Sequence, residues 1–276
     1  MTYEPSRAAL TLGAAIAAAA CGSPSGAIPP LALGSQTSSL PATQEGGVFA
    51  VSVDVDGVPG PQVLVDTGAP YASLNVAAFQ GAVPAGSGHV ASLTLGGTVL
   101  WKVPTFGVAG SSTDTPDSGD GGILGFSVFG QFAMSFNYRD TQVIVGPPPL
   151  PDGLLDPISL PMSLEGGGPG LLPDGSVIDF APSRVILTGS IEGANHIFLL
   201  DTGASSVALR TSLFDSIASD GRTQAQGSVR LVTGASTTSI LRLKTVSVAD
   251  ADVEGPLAVS GSGIDNLLDG LQQEVG

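Results

Sequence analysis

Basic side chains are scarce in this chain of 276 residues, where nine Lys and Arg stand against 24 Asp and Glu and the formal charge is -15. A surface of that sign repels polyanions, and no basic footprint of the kind nucleic-acid binding requires is present, so nucleic acid is excluded as a partner. Cysteine occurs once, at Cys21, which rules out an intramolecular disulfide; a core of this size does not need one. His89 and His196 are the only histidines. With no Cys or carboxylate cluster at ligand spacing, both read as loop or surface residues, and neither a metal nor a cofactor is expected. A Gly-x-Ser-x-Gly elbow is also missing, which disfavours a hydrolase built on a Ser-His-Asp triad. Trp101 and Tyr71 read as packing residues rather than pocket residues, although Tyr71 follows Asp66 closely enough to line a subsite. The apolar run Ala8–Ala20 is too short to cross a bilayer as a stable anchor.

What the chain does have is glycine (39), proline (21) and an apolar share of 42% against 12% charged residues. That balance predicts a mostly β protein of many short strands joined by turns. The length suits two lobes of about 100–120 residues each. At the N-terminus, Arg7, the apolar run and Cys21-Gly22-Ser23 have the layout of a secretory signal. Ala18-Ala19-Ala20-Cys21-Gly22 resembles a bacterial lipobox. The expectation is a signal segment over 1–21, ending at a Cys21 that becomes lipidated and anchors the exported protein to the cell membrane or outer membrane. Residues 22–46, rich in Ser, Pro and Gly, then read as a flexible tether.

From residue 47 the pattern changes. Phe49, Val51, Val53 and Val55 alternate with polar or small residues, the period of a half-buried strand, and Asp56-Gly57 turns it. A second strand ends at Val65 and delivers Asp66. Further strands are expected over 91–95, 98–103 and 141–145, which completes one lobe at residue 146. The run Gly146-Pro147-Pro148-Pro149-Leu150-Pro151 opens a linker over 147–183. Beyond it, Val185–Ile191, a Glu192-Gly193 turn and His196–Leu200 repeat the earlier strand, turn, strand order and end at Asp201, so 184–276 reads as the second lobe.

The repeat has an offset of 135 residues, from Asp66 to Asp201. The same offset carries Val63-Leu64-Val65 onto Phe198-Leu199-Leu200, and Thr67, Gly68 and Ala69 onto Thr202, Gly203 and Ala204. It also carries Leu74 onto Leu209 and Phe79 onto Phe214, a pair spaced for a short helical turn beneath each aspartate loop. Two carboxylates on equivalent loops of two similar lobes are what a pseudo-twofold active site needs. The glycines leave room for backbone donors to reach the carboxylates, and the threonine hydroxyls require buried partners.

A hydrophobic pair followed by Asp-Thr-Gly-Ala, present in both halves, resembles the aspartic peptidase family that spans retropepsins and pepsins. The resemblance implies two retropepsin-like β-barrel lobes related by a pseudo-twofold, with Asp66 and Asp201 as a catalytic dyad hydrolysing peptide or protein substrates. In such dyads, as is established for aspartic proteases, carboxyl groups about 3 Å apart share one proton; one activates a water and the other donates to the substrate carbonyl. The family pattern implies that Thr67 and Thr202 cross-link the two loops, and that Ile123, Leu124 and Gly125 form the segment threading past the first catalytic loop. It further implies a hairpin flap about 25 residues after each aspartate, where Gly86, Ser87 and Gly88 stand in one half and Gln226, Gly227 and Ser228 in the other. Because one chain carries both aspartates, a monomer suffices.

Two departures shape the expectation. At the offset of Ile123-Leu124 the second half has Ala258-Val259-Ser260, and the nearest alternative, Leu267-Leu268-Asp269-Gly270, inserts an aspartate. The second lobe therefore reads as stopping short of its threading segment. Ala69 and Ala204 stand where pepsins carry a hydroxyl that donates to the carboxylate, so the dyad should titrate higher and work in mildly acidic to near-neutral solution. Two other readings remain open: a peptide-binding lipoprotein that keeps this fold without activity, and a structural surface protein whose aspartates cap turns.

Overall fold

Phe49, Val51, Val53 and Val55 are all buried in the computed structural model, while Ser52 between them is exposed. The period seen in the sequence is therefore a strand with one face in a core. The structure describes residues 38–108, 121–129, 134–146, 160–166, 168–171, 177–180, 183–231 and 234–271. The signal segment with Cys21 lies outside the described residues, as does most of the expected tether.

In the first half the strands are β1 (Ser38–Glu45), β2 (Val48–Val55), β3 (Val58–Val65), β4 (Ala72–Asn75), β5 (Gly86–Leu95), β6 (Thr98–Val108) and β7 (Gly122–Leu124). A short helix α1 (Phe126–Phe129) precedes β8 (Met134–Asn137) and β9 (Gln142–Val145). Pairing runs β3-β7-β4-β6-β5-β2, and β2 pairs back to β3, so these six strands close into a barrel. Its filling is one continuous core that includes Phe49, Leu74, Phe79, Leu93, Leu100 and Leu124. Pro59 and Pro61 in β3 lack backbone donors, and beside them the β2–β3 register shifts between Ser52 and Asp54.

β1 corrects the tether expectation. Residues 38–45 form a strand whose first part pairs with β9 and whose second part pairs with β2. Pro41, which cannot donate to a ladder, ends the first pairing before Ala42 begins the second.

In the second half β10 (Met162–Glu165) and the hairpin of β11 (Gly168–Leu171) and β12 (Val177–Phe180) fall within the segment expected to be linker. β10 pairs with β13 (Arg184–Ile191), so this part is sheet and not spacer. β13 turns through Glu192-Gly193 into β14 (Ala194–Leu199). β15 (Val207–Ala208), α2 (Thr211–Ala218), β16 (Gln224–Leu231), β17 (Gly234–Arg242), β18 (Thr245–Val248), β19 (Ala251–Glu254), β20 (Leu257–Ser260) and α3 (Ser262–Leu271) follow. They form two sheets, β10-β13-β18-β19 with β14 on β13, and β15-β20-β17-β16. A separate core of Leu187, Leu209, Phe214, Leu241 and Leu243 lies between them.

Both aspartate-bearing hairpins turn through an acid and a glycine with positive φ, Asp56-Gly57 (50° and 76°) and Glu192-Gly193 (51° and 85°), the geometry of a tight hairpin turn. Each acid is also tied to a later strand. Asp56 donates its N–H to Ser92 O at 3.0 Å and accepts from Ser92 N at 2.5 Å. Glu192 donates to Thr245 O at 3.0 Å, accepts from Lys244 N at 2.8 Å and is gripped by both terminal nitrogens of Arg222, at 2.5 and 2.8 Å. The hairpins are thus braced at the ends opposite their aspartate loops.

Leu74 and Leu209, and Phe79 and Phe214, are buried almost completely at matching places in the two halves. Phe214 sits in α2, whereas Phe79 sits in a series of turns, so the expected helical turn forms in the second half alone. Phe214→Ala removes a whole ring from a closed core, and a loss of about 3–5 kcal/mol in unfolding free energy is expected by urea denaturation.

Candidate active site

Asp66 follows β3 and Asp201 follows β14, each at the point where the chain leaves its strand for a Thr-Gly turn. Within its own loop, Asp66 Oδ1 accepts backbone N–H groups from Gly68 at 2.8 Å and Ala69 at 3.1 Å. Asp201 Oδ1 accepts from Gly203 N at 2.7 Å. The loops then meet each other. A Cβ added to Gly68 would lie 2.7 Å from Asp201 Cγ and 2.9 Å from both its carboxyl oxygens; one added to Gly203 would lie 2.7 Å from Asp66 Cγ. Each carboxyl therefore rests on the bare Cα of the opposite loop. Neither glycine has positive φ; what each supplies is space.

Below the carboxyls the threonines cross. Thr67 Oγ1 donates to Leu200 O at 2.8 Å and accepts from Thr202 N at 3.1 Å. Thr202 Oγ1 donates to Val65 O at 2.9 Å and accepts from Thr67 N at 3.1 Å. Both side chains are buried. Each hydroxyl thus has a donor role and an acceptor role filled by the other loop, which a buried hydroxyl needs.

Asp66 is held well above the usual carboxylate range. Burial contributes most, followed by the negative charge of Asp201 and the hydrogen bond between the two; the Gly68 and Ala69 N–H groups pull the other way without reversing the shift. A proton is therefore retained at the pair at pH values where an isolated aspartate has lost it. Ala69 and Ala204 offer backbone N–H but no hydroxyl. Ala69→Ser adds a donor beside the Asp66 carboxylate, favours its charged form and should move the pH optimum of any hydrolysis toward acid, as read from a kcat/KM profile.

Ile123, Leu124 and Gly125 lie against the first loop. β7 pairs in parallel with β3, Leu64 opposite Ile123 and Val65 opposite Leu124. Asp66 N donates to Leu124 O at 3.0 Å, and Phe126 N donates to Ala69 O at 2.8 Å. A Cβ on Gly125 would fall 2.3 Å from Tyr71 O, so only glycine fits there.

The second half is built differently. β20 pairs in parallel with β15 and antiparallel with β17, and among the described residues β14 pairs with β13 alone. Leu267-Leu268-Asp269-Gly270 is part of α3, where Leu268 packs with Ile264 and Val259. α3 also caps its neighbour. Arg210, at the N-cap of α2, makes no side-chain cap. Asp265 accepts instead from Thr211 N at 2.8 Å and Thr211 Oγ1 at 2.6 Å, while Asp269 pairs with Arg210 at 2.5 Å.

The six residues offered as flaps do not form hairpin tips. Gly86, Ser87 and Gly88 open β5 and pair with Gly107, Phe106 and Thr105; the tip of that hairpin is Gly96-Gly97, whose Gly96 lies against Leu40 of β1. Gln226, Gly227 and Ser228 lie inside β16, opposite Ser239, Thr238 and Thr237. Small residues suit a lid and a tight strand pairing equally, and here they serve the second. Trp101, read as a packing residue, is 62% exposed. His89 and His196, read as loop or surface residues, lie in strands β5 and β14, His89 exposed and His196 half-buried. Among the described residues there is no group of three or more His, Cys, Asp or Glu able to hold a metal ion.

In this chain, then, two carboxyls meet across two crossed Asp-Thr-Gly loops on a mostly β framework. Residues 187–271 match the family model described as aspartyl protease, a span that includes Asp201 and α3. No curated protein matches the chain. Among solved structures, a retropepsin-like aspartic protease from Rickettsia conorii is similar over 38% of this chain and 73% of its own, at 16% identity and a TM-score of 0.22. An aspartic proteinase from Irpex lacteus is similar over 79% of this chain and 78% of its own, at 15% identity and a TM-score of 0.45.

Proposed function

We propose that the chain is an aspartic-type endopeptidase in which Asp66 and Asp201 activate a water for attack on a peptide carbonyl. The observation that carries this reading is the carboxyl pair itself: each carboxyl lies against the glycine of the opposite loop, and burial and its neighbour's charge hold Asp66 above the usual carboxylate range. In the singly protonated pair, the ionised carboxyl takes a proton from the water while the protonated one donates to the carbonyl oxygen, so that charge does not build up on the tetrahedral intermediate. The half that carries Asp66 and the half that carries Asp201 would act as two lobes, with β10 part of the second, and one chain would suffice for activity. The test is incubation of the full chain with quenched fluorogenic peptides between about pH 4 and pH 7, a range that brackets the upward shift of the carboxyl. No turnover at any pH in that range would end the reading.

One observation favours the second reading, a peptide binder without activity. Asp66 N is bonded to Leu124 O from β7, and among the described residues no strand stands in the same relation to β14. Tight peptide binding with no product would select it. At the other end of the chain, the lipobox-like Ala18-Ala19-Ala20-Cys21-Gly22 supports a lipid anchor after export. Cys21→Ser should then shift the protein from the membrane pellet to the soluble fraction.

A further inference from the structure

The basic residues of this protein are few, and most of those with described side chains are already engaged. Arg210, the basic residue that follows the Asp201 loop most closely, is paired with Asp269 at 2.5 Å. Arg222 is held by Glu192 and Asp220, Lys244 by Asp220 at 3.0 Å, and Arg139 lies beside Asp140. Residues 60–85, 121–129 and 195–209, which supply both aspartate loops and the segment threading past the first, contain no Lys or Arg at all. Several acids are in the opposite condition. Among the described residues Asp215, Asp250, Asp252 and Glu254 are exposed and make no ion pair, and the whole chain carries a formal charge of -15.

An anionic group brought to the dyad would therefore approach through a repulsive field and meet aspartate loops that carry no basic residue of their own. A cationic group would be drawn in, since an uncompensated surface charge raises the local concentration of oppositely charged ligands at a recessed site. Of the chain's charge, the singly protonated dyad keeps one negative charge at the centre. We propose that the site selects cationic peptides, segments with Lys or Arg flanking an uncharged scissile pair, and discriminates against acidic ones. This rests on the endopeptidase reading, and it assigns that reading a substrate class. The selection comes from the field of the whole molecule and not from a dedicated carboxylate subsite, so it acts on capture of the peptide more than on the bond-breaking step.

The experiment compares two labelled peptides that share one uncharged core, one flanked by lysines and the other by glutamates, with the full chain. At about 20 mM salt the Debye length exceeds 20 Å, and at about 500 mM it is under 5 Å, so the field is present in one buffer and screened in the other. At low salt the Lys-flanked peptide should show a kcat/KM about tenfold or more above the Glu-flanked one, carried by KM, and the gap should close toward parity at high salt. The combined variant Asp250→Lys, Asp252→Lys and Glu254→Lys, at exposed positions away from the dyad loops, should narrow the low-salt gap with kcat unchanged. Equal kcat/KM at low salt overturns the proposal, as does a gap that survives both high salt and the triple variant. If neither peptide is cleaved, the endopeptidase reading fails, and fluorescence anisotropy of the same peptides decides the charge preference separately. Tighter, salt-sensitive binding of the Lys-flanked peptide upholds the preference, and equal binding sinks it.

Discussion

Asp66→Asn or Asp201→Asn is expected to reduce peptide hydrolysis by about a thousandfold or more, because the two carboxyls act as one unit and neither can do the other's work alone. The fold should survive, and the Asp66 variant should melt at a higher temperature than the parent at neutral pH. The sign follows from proton binding. Asp66 titrates above its unfolded value, so between those two values the folded state holds a proton that the unfolded state has released, and stability falls as pH rises through that window. Asparagine removes this penalty while keeping an acceptor for the N–H groups of Gly68 and Ala69. Calorimetry at neutral pH and below the unfolded carboxylate range separates the outcomes: a stabilising effect confined to the higher pH fits the shared-proton pair. If instead the aspartates serve as turn caps, the same substitutions lower the melting temperature at both.

Gly203→Ala and Gly68→Ala should be nearly as damaging, although neither residue titrates. A methyl on Gly203 would stand 2.7 Å from Asp66 Cγ, and one on Gly68 the same distance from Asp201 Cγ. Contacts that short are forbidden, so the carboxyl must swing aside or the loops must part. A displacement of about 1 Å at reacting groups costs on the order of a hundredfold in rate, and that is the loss expected in kcat. Parting the loops would also stretch the threonine hydrogen bonds, lowering the unfolding midpoint. The substitution at Gly57 is the control, since a Cβ there meets nothing within 4 Å, and only its positive φ opposes a side chain.

The strands that carry the dyad were legible because each has its own apolar period and each ends in the same four residues. The alternation from Phe49 to Val55 and the turns at Asp56-Gly57 and Glu192-Gly193 appear in the structure where the sequence puts them. What was not legible depends on distant partners. Among the described side chains of β1 only Leu40 is buried, and the strand exists because β9 and β2 supply its hydrogen bonds. β10 likewise takes its partner from β13. Leu267-Leu268-Asp269-Gly270 could be read as a strand or a helix from a short apolar run. The deciding signal was the four-residue spacing of Ile264 with Leu268 and of Asp265 with Asp269, which puts one pair on the core and the other on α2. The flap assignment failed for a related reason, since glycine marks a place without a side chain and does not say what the space is for.

The crossed threonines have a consequence for how the site comes into being. Each hydroxyl answers backbone groups of the other loop, so neither half on its own holds a finished set of partners. Carrying both loops on one polypeptide fixes their ratio at one to one and makes their encounter independent of dilution. Competence at this centre should thus be acquired at the same rate in a scarce sample as in an abundant one, unlike an enzyme that must first find its twin.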